Sequence, residues 1–550
     1  PQSRDVAITP DGSRVIYKGG SRTEATRLFV RGVGELDNQP ITAPGLPKSP
    51  FVSPDGQWVG YFVPGDPVTL YKVPVSGGPP IRLAGVAGPS RGASWGDDDS
   101  IVVGAGSVAV GLQRVNAAGG EPIVLTTPDR ARGERDHLFP RYLPGSQAVL
   151  FTITALSGGM EAAQVAVLDV KAGTWKTVIR GASQAVYVRS GHLVYVAGEA
   201  LWAVPFNLAR RAVSGPARVV VPRIVTLPTG AAEFDIAADG TLVYVDGGAA
   251  ALQRTLAWVD RRGHVEPLAA PPRQYAGLRL SPDGTRVALE IDDLEKDIWV
   301  WHLAQRTLTR VTTDPGQDQS PVWMPDGRSL VFTSQSGGTV GALFRQAADG
   351  SGSAERLTEP GNLQRPSAAL PDGSALIFNE SGDVKLLSLD ATHRVQPLLQ
   401  TPQLEYAGAL SPDGRWLAYS AGDIATTQIF VRPYPKTHEA RTLVSTDGGG
   451  HPVWSRNGRE LFYLTLEGAL MSVTVSPGAT WSASAPTRVL DASILGSISP
   501  SLRQFDVSPD GQRFLMINDA ASSATESAPP RIVVVQHWLE EANRLAPVSR

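Results

Sequence analysis

Leu278-Arg279-Leu280-Ser281-Pro282-Asp283-Gly284-Thr285-Arg286-Val287-Ala288-Leu289 is two short apolar runs hinged on Ser-Pro-Asp-Gly. Pro282 presets φ for the second position of a type I turn, Asp283 can bond the backbone locally, and Gly284 tolerates the positive φ that closes a tight hairpin. The hinge recurs at Thr9-Pro10-Asp11-Gly12, Ser53-Pro54-Asp55-Gly56, Met324-Pro325-Asp326-Gly327, Leu370-Pro371-Asp372-Gly373, Ser411-Pro412-Asp413-Gly414 and Ser508-Pro509-Asp510-Gly511. Five weaker copies fill the gaps, among them Trp95-Gly96-Asp97-Asp98 and Ser455-Arg456-Asn457-Gly458.

Each hinge opens a unit of about 40 to 50 residues with four short apolar runs, the period and strand count of a propeller blade. The expectation is an all-β protein, a β-propeller of twelve four-stranded blades with one short C-terminal helix over 538–545, where Trp538, Ala542 and Leu545 recur at helical spacing. A longer period overlies the first. Ser281 lies 272 positions after Thr9 and Ser508 lies 271 after Ala237, so six units are followed by six more. That predicts two tandem six-bladed propellers, 1–262 and 263–550, with one twelve-bladed ring as the alternative. A ring must not leave a strand edge unpaired. Ile532-Val533-Val534-Val535 therefore looks for a partner, and Val265-Glu266-Pro267-Leu268 is the candidate that would close the second six on themselves.

Composition narrows the function. The chain has 550 residues, 42% apolar and 19% charged, with a formal net charge of −3 and no basic run, which argues against nucleic-acid binding. There is no cysteine, so disulfides and thiolate metal sites are excluded. No run is long and apolar enough to span a bilayer. Gly 57 and Pro 44 fall at regular intervals between β-rich runs, as tight turns require.

The units of the form (Trp/Leu)-Ser-Pro-Asp-Gly-x-x-(Leu/Val/Ile)-Ala-(Tyr/Phe), as in Ala409 to Tyr419 and Val322 to Phe332, resemble the TolB-like, WD40-like (PD40) propeller repeat along essentially the whole chain. Arg531-Ile532-Val533-Val534-Val535-Gln536-His537-Trp538-Leu539-Glu540-Glu541 and Leu256-Ala257-Trp258-Val259-Asp260-Arg261-Arg262-Gly263 are in addition similar to the tail and centre of the TolB-like region of bacterial transmembrane serine/threonine protein kinases. That resemblance implies the extracytoplasmic sensory part of such a protein, tethered by an upstream membrane helix, or a stand-alone relative. The His-Arg-Asp, Asp-Phe-Gly and glycine-rich motifs of a kinase are missing here, as is Gly-x-Ser-x-Gly.

Candidate site residues are those just ahead of a unit's first strand, where blade geometry points side chains at the central channel. They are Arg135, Asp136, His137, Glu233, Tyr275, Asp318, Arg365, Glu405, His451 and Arg503. His137 and His451 are polar ligand or metal contacts on the sharper reading and solvated loop histidines on the plainer one. The mixed ring as a whole either holds a small polar solute or lines a hydrated tunnel. The acidic runs Glu290 to Glu295 and Gly96 to Asp99 lack the fixed alternation of a calcium loop. Trp58, Trp95, Trp323, Trp416 and Trp454 recur in register with the hinges and so should fill space between blades.

The reading that follows is a non-enzymatic binding, sensor or scaffolding module, periplasmic or extracellular. It would use no cofactor or metal and recognise a protein, peptide or glycan through propeller loops. The alternatives are a metal-assisted hydrolase or lyase at a channel mouth, and a structural subunit of an envelope assembly.

Overall fold

The computed structural model describes residues 5–19, 27–45, 47–64, 67–106, 110–156, 159–227, 230–246, 253–293, 296–314, 316–336, 341–422, 426–491, 502–519 and 531–547. Among the described residues the fold is all-β with one α-helix, Trp538–Leu545. The described strands form eleven antiparallel sheets, eight of them four-stranded. Two successive strand quartets share one eight-stranded sheet, joined where Ala105 pairs with His137, so twelve separate blades are not seen.

The hinges build these sheets as the sequence dictates. At Ser281 the backbone N–H of Gly284 donates to the Ser281 carbonyl at 2.9 Å, and Gly284 has φ +73°. The Ser281 hydroxyl donates to Asp283 Oδ1 at 2.5 Å and accepts from the Arg286 N–H at 2.9 Å. Partial burial works against ionisation of Asp283, but the bonds from Ser281 and Thr285 prevail and hold its pKa down at about 2. The same Ser-to-Asp bond recurs at Ser53, Ser411 and Ser508. The recurring acids are turn formers.

The chain divides into two compact units, one made of the residues up to 252 together with those from 527 onward, the other of residues 253–526. In the second unit, six four-stranded sheets follow one another. Their first strands are Tyr275–Leu280, Asp318–Trp323, Arg365–Ala369, Glu405–Leu410, Gly450–Trp454 and Phe505–Val507. These neighbour one another in that order, and the last lies against the first, so the sheets close into a ring. Trp323 and Trp454 donate their indole N–H groups to the carbonyls of Arg279 and Ala409 in the preceding sheet, which places them between sheets as their register foretold.

In the first unit the corresponding strands are Val6–Ile8, Lys48–Val52, Ser90–Trp95, Glu134–Tyr142, Ser183–Val188 and Phe234–Ile236. Val6–Ile8 lies against Phe234–Ile236, while Val186 and Val188 meet Phe234 in one core. The sheet of Phe234–Ile236 gains its third strand from the far end of the chain. Leu242–Asp246 pairs with Arg531–Val535, Leu242 opposite Val535 and Asp246 opposite Arg531. The helix that follows buries Trp538 and Ala542 against Val194, Leu201 and Phe234.

This corrects the expected closure. Ile532 to Val535 pairs not with Val265 to Leu268 but with the first unit, and Arg254–Asp260 instead supplies the third strand beside Arg513–Asp519. Val265–Pro267 adds the fourth strand of that same sheet. The last sheet of each unit thus takes its third strand from across the sequence, and the second unit is inserted into the first. The aspartates of the matching triplets Phe234-Asp235-Ile236 and Phe505-Asp506-Val507 latch each ring. Asp235 accepts the Ile8 N–H at 3.2 Å and an ion pair from Arg141; Asp506 accepts the Leu280 N–H at 2.8 Å and an ion pair from Arg503.

This topology sets apart two fragments of similar length. Residues 253–526 carry every strand of the second unit's six sheets and are expected to be monomeric and to unfold cooperatively in urea. Residues 263–550 lack Arg254–Asp260 and keep an orphaned Arg531–Val535; they should aggregate or unfold without a sharp transition, as size-exclusion chromatography and circular dichroism will read. In the whole protein, Trp538→Ala should lower the stability of the first unit's transition by about 3–5 kcal/mol.

Candidate functional site

A cavity of about 250 Å³ opens among the first strands of the second unit. Residues on or directly ahead of all six strands line it, including Arg279, Ser320, Arg365, Glu405, His451 and Arg503. The route by which they reach it is a local irregularity the hinge motif does not reveal. The register of the first strands slips between Tyr275 and Gly277, Gln319 and Val322, Pro366 and Ala368, Tyr406 and Ala409, and Gly450 and Val453. At three of these slips a non-glycine residue takes positive φ: Ser320 at 58°, Ala407 at 54° and His451 at 57°. Such bulges add a residue to one strand and re-aim its side chains.

Four candidates read from the sequence meet here: Arg365, Glu405, His451 and Arg503. Two others in the same unit do not line the cavity. Tyr275 is in the core, its hydroxyl donating to the Pro271 carbonyl at 2.5 Å and its pKa pushed up by burial. Asp318 is 2% exposed, with Oδ1 lacking a hydrogen-bond partner. Burial, against hydrogen bonds from Ser334 and Thr312 and reinforced by Asp297 and Asp314, pushes its pKa up to about 7.

The remaining candidates belong to the first unit and are engaged within it. His137 is fully buried and is neither a solvated loop residue nor a channel contact. Its Nδ1 lies 2.8 Å from Thr126 Oγ1 and its Nε2 3.0 Å from Glu134 Oε2, with Phe151 and Trp175 edge-on to the ring. Burial pushes its pKa down, against the pull of Glu134. Arg135 and Asp136 form an ion pair at 3.6 Å, and Glu233 accepts the Asp5 N–H at 2.8 Å.

The acids around the cavity are largely spoken for. Glu290 is fully buried and pairs with Lys296 at 3.1 Å while accepting the Ser320 N–H at 2.9 Å. Glu380 pairs with Lys385 at 2.6 Å and accepts from Gln364 at 2.9 Å. Glu405 is fully buried, with Oε1 accepting from Thr401 at 3.2 Å and Oε2 unpartnered; burial pushes its pKa up. In the acidic runs, Asp293 pairs with Arg273 and Asp98 accepts from Ser100, while Leu294 and Glu295 lie outside the described residues. Among the described residues no three His, Asp or Glu side chains come together as a metal would need.

Arg279 was not singled out by sequence, although a signal existed. It stands two residues before its hinge, where four other units of the second half carry Val322, Ala368, Ala409 and Val453. The sixth carries Asp506, which latches the neighbouring strand. A charge at a position otherwise small and apolar marks departure from the repeat.

The family model of the TolB beta propeller domain matches residues 263–456, within the second unit. The Tol-Pal system protein TolB of Nitratidesulfovibrio vulgaris is 27% identical over 135 residues, 23% of this chain and 29% of that protein. A protein of Bacillus subtilis named as the uncharacterized peptidase YuxL is 31% identical over 116 residues, 20% of this chain and 17% of that one. The chain thus spans less than a third of either relative. The solved structure of a putative TolB from Agrobacterium tumefaciens has a TM-score of 0.38 and 16% identity, covering 48% of this chain and 98% of its own.

Buried Asp318 gives the second unit a pH signature. Its carboxyl titrates near 7 in the fold against about 3.9 unfolded, so the native state holds a proton that the unfolded chain has lost between those values. Stability is complete below about pH 4 on this account and falls as pH rises through 7, by as much as about 4 kcal/mol. Urea midpoints at pH 5 and pH 8 should differ in the wild type and converge in Asp318→Asn.

Proposed function

We propose that this chain is a non-catalytic binding module that works outside the cytoplasm and receives a segment of a protein partner at the mouth of the second unit's cavity. The observation that carries this reading is the convergence of all six first strands on one cavity with re-aimed backbone at Ser320, Ala407 and His451. Positive φ recurs at the equivalent slips of the first unit, at Ser49, Phe139 and Gln184, so it belongs to the repeat, and the shared cavity is what carries the reading. The TolB-type domain over residues 263–456 covers five of the six first strands, and one relative is named for the Tol-Pal system. A closed ring of sheets presents loops from many strands on a rigid frame, which suits recognition of an extended partner segment. The periplasm is the compartment in keeping with that relationship.

Placing a photo-crosslinking residue at Leu404, which lines the cavity and is 37% exposed, tests the reading against one at Val395, an exposed position on an outer strand of the same unit. Irradiation with a bacterial envelope fraction should give a discrete adduct at 404 and none at 395. Equal labelling at both positions, or none at 404, would overturn the proposal.

A further inference from the structure

We propose that the cavity of the second unit binds a carboxylate group, gripped by Arg279, Arg365 and Arg503, supplied by a small organic acid or by the carboxyl end of a peptide. The inference rests on reading this cavity as a binding site and adds the chemistry of its ligand.

Charge accounting carries the argument. Three arginines, Arg279, Arg365 and Arg503, line the cavity from three different first-strand regions. Arg503 already pairs with Asp506, whereas Arg279 and Arg365 have no ion pair among the described residues. The lining acids are engaged elsewhere as well: Lys296 pairs with both Glu290 and Asp292, and Lys385 pairs with Glu380, so the pull of Glu290 on Arg365 and of Asp506 on Arg279 is shared, while burial raises the pKa of Glu405. Arg365 Nε is shut off from solvent and has no hydrogen-bond partner. Burial lowers the pKa of both arginines; Arg503 adds to the effect on Arg279 against the pull of Asp506, and Glu290 opposes it on Arg365 without reversing it. Cations so placed are destabilised in the empty site and gain most from an incoming anion.

The form of the cavity selects among anions. A planar guanidinium offers parallel N–H donors that match a carboxylate's two oxygens. Leu278, Leu363, Leu404 and Leu502 stand on the same walls and would meet a carbon skeleton, which inorganic phosphate lacks. A volume of about 250 Å³ suits a small acid or the last residue of a peptide, below the usual range of drug-sized pockets.

Titration calorimetry on the full chain at low, matched ionic strength tests this with malonate, succinate, glutarate and phosphate, and with a hydrophobic tripeptide as free acid and as amide. At least one organic carboxylate should bind one-to-one and more tightly than phosphate, and the binding should weaken about 10- to 100-fold in Arg279→Met and in Arg365→Met. Preference for the tripeptide acid over its amide and over the dicarboxylates assigns the group to a peptide end; the reverse order assigns it to a free acid. Absence of all carboxylate binding, tighter binding of phosphate, or affinity unchanged in both variants overturns the proposal. Methionine keeps the length and removes the charge, so ligand-free Arg365→Met should unfold at the same or a higher urea concentration than the wild type. A lower midpoint would mean the guanidinium already has its partner inside the protein, and sinks the assignment. A Leu404 adduct that persists when Arg279→Met and Arg365→Met are combined, with no carboxylate bound by the wild type, would leave the binding module standing and refute only its carboxylate chemistry.

Discussion

Two strand pairings made across the length of the chain hold this architecture together: Leu242–Asp246 with Arg531–Val535, and Arg254–Asp260 with Arg513–Asp519. A ring of sheets has no stable stopping point while one sheet is short of a strand, because the open edge exposes a row of unmet N–H and C=O groups. Each unit solves this by taking a strand from a distant part of the sequence. The seven residue pairs between Arg254–Asp260 and Arg513–Asp519 commit the second unit's beginning to its end. Asp235 and Asp506 then fasten the closing strand to the opening one by a bond to a backbone N–H, and each is itself held by an ion pair, with Arg141 and Arg503. The insertion of one unit into the other follows from that choice of partners.

The sequence shows the repeated parts of this fold much better than its joints. The hinges could be read because every one of their causes is local: a proline that fixes φ, a serine and an aspartate that bond within two residues, a glycine at positive φ. The tryptophans could be read because they keep step with the hinges. Closure could not. Leu256-Ala257-Trp258-Val259 and Ile532-Val533-Val534-Val535 are both apolar runs that follow a hairpin of the same pattern, and either would satisfy either edge by hydrophobicity alone. What separates them is register and topology over more than 250 residues, which no local pattern encodes. The segment that most resembles a kinase-associated tail is put to use in this fold as a closing strand and a helix docked on the first unit's core.

The lining of the second unit's cavity was half visible for a related reason. Counting from the hinge locates the start of each first strand, and that rule found Arg365, Glu405, His451 and Arg503. It did not place Tyr275 and Asp318, which are buried away from the cavity although their strands carry the same bulge as the others. In the first unit it mistook a buried histidine for an accessible one. His137 sits where two strand quartets join, and its hydrogen bonds to Thr126 and Glu134 consume both ring nitrogens. Position in the repeat specifies a neighbourhood; the bulge and the partners within it decide whether a polar side chain meets solvent.

Charge shows the same separation of scales. A net charge of −3 over 550 residues describes a protein with no field to attract an anion, yet a cationic patch forms inside it. The patch arises because acids and bases are not shared evenly. Glu290 and Glu380 find lysines on their own hairpins, Lys296 and Lys385, a few residues away in sequence. Arg279 and Arg365 sit on strands whose immediate sequence neighbours supply no acid, Gly277-Leu278 and Leu280 for one, Leu363-Gln364 and Pro366 for the other. Pairing is won first by residues that are close along the chain, since little entropy is lost in bringing them together. What remains unpaired is what the fold gathers last, at the meeting of strands far apart in sequence, and there the surplus is positive.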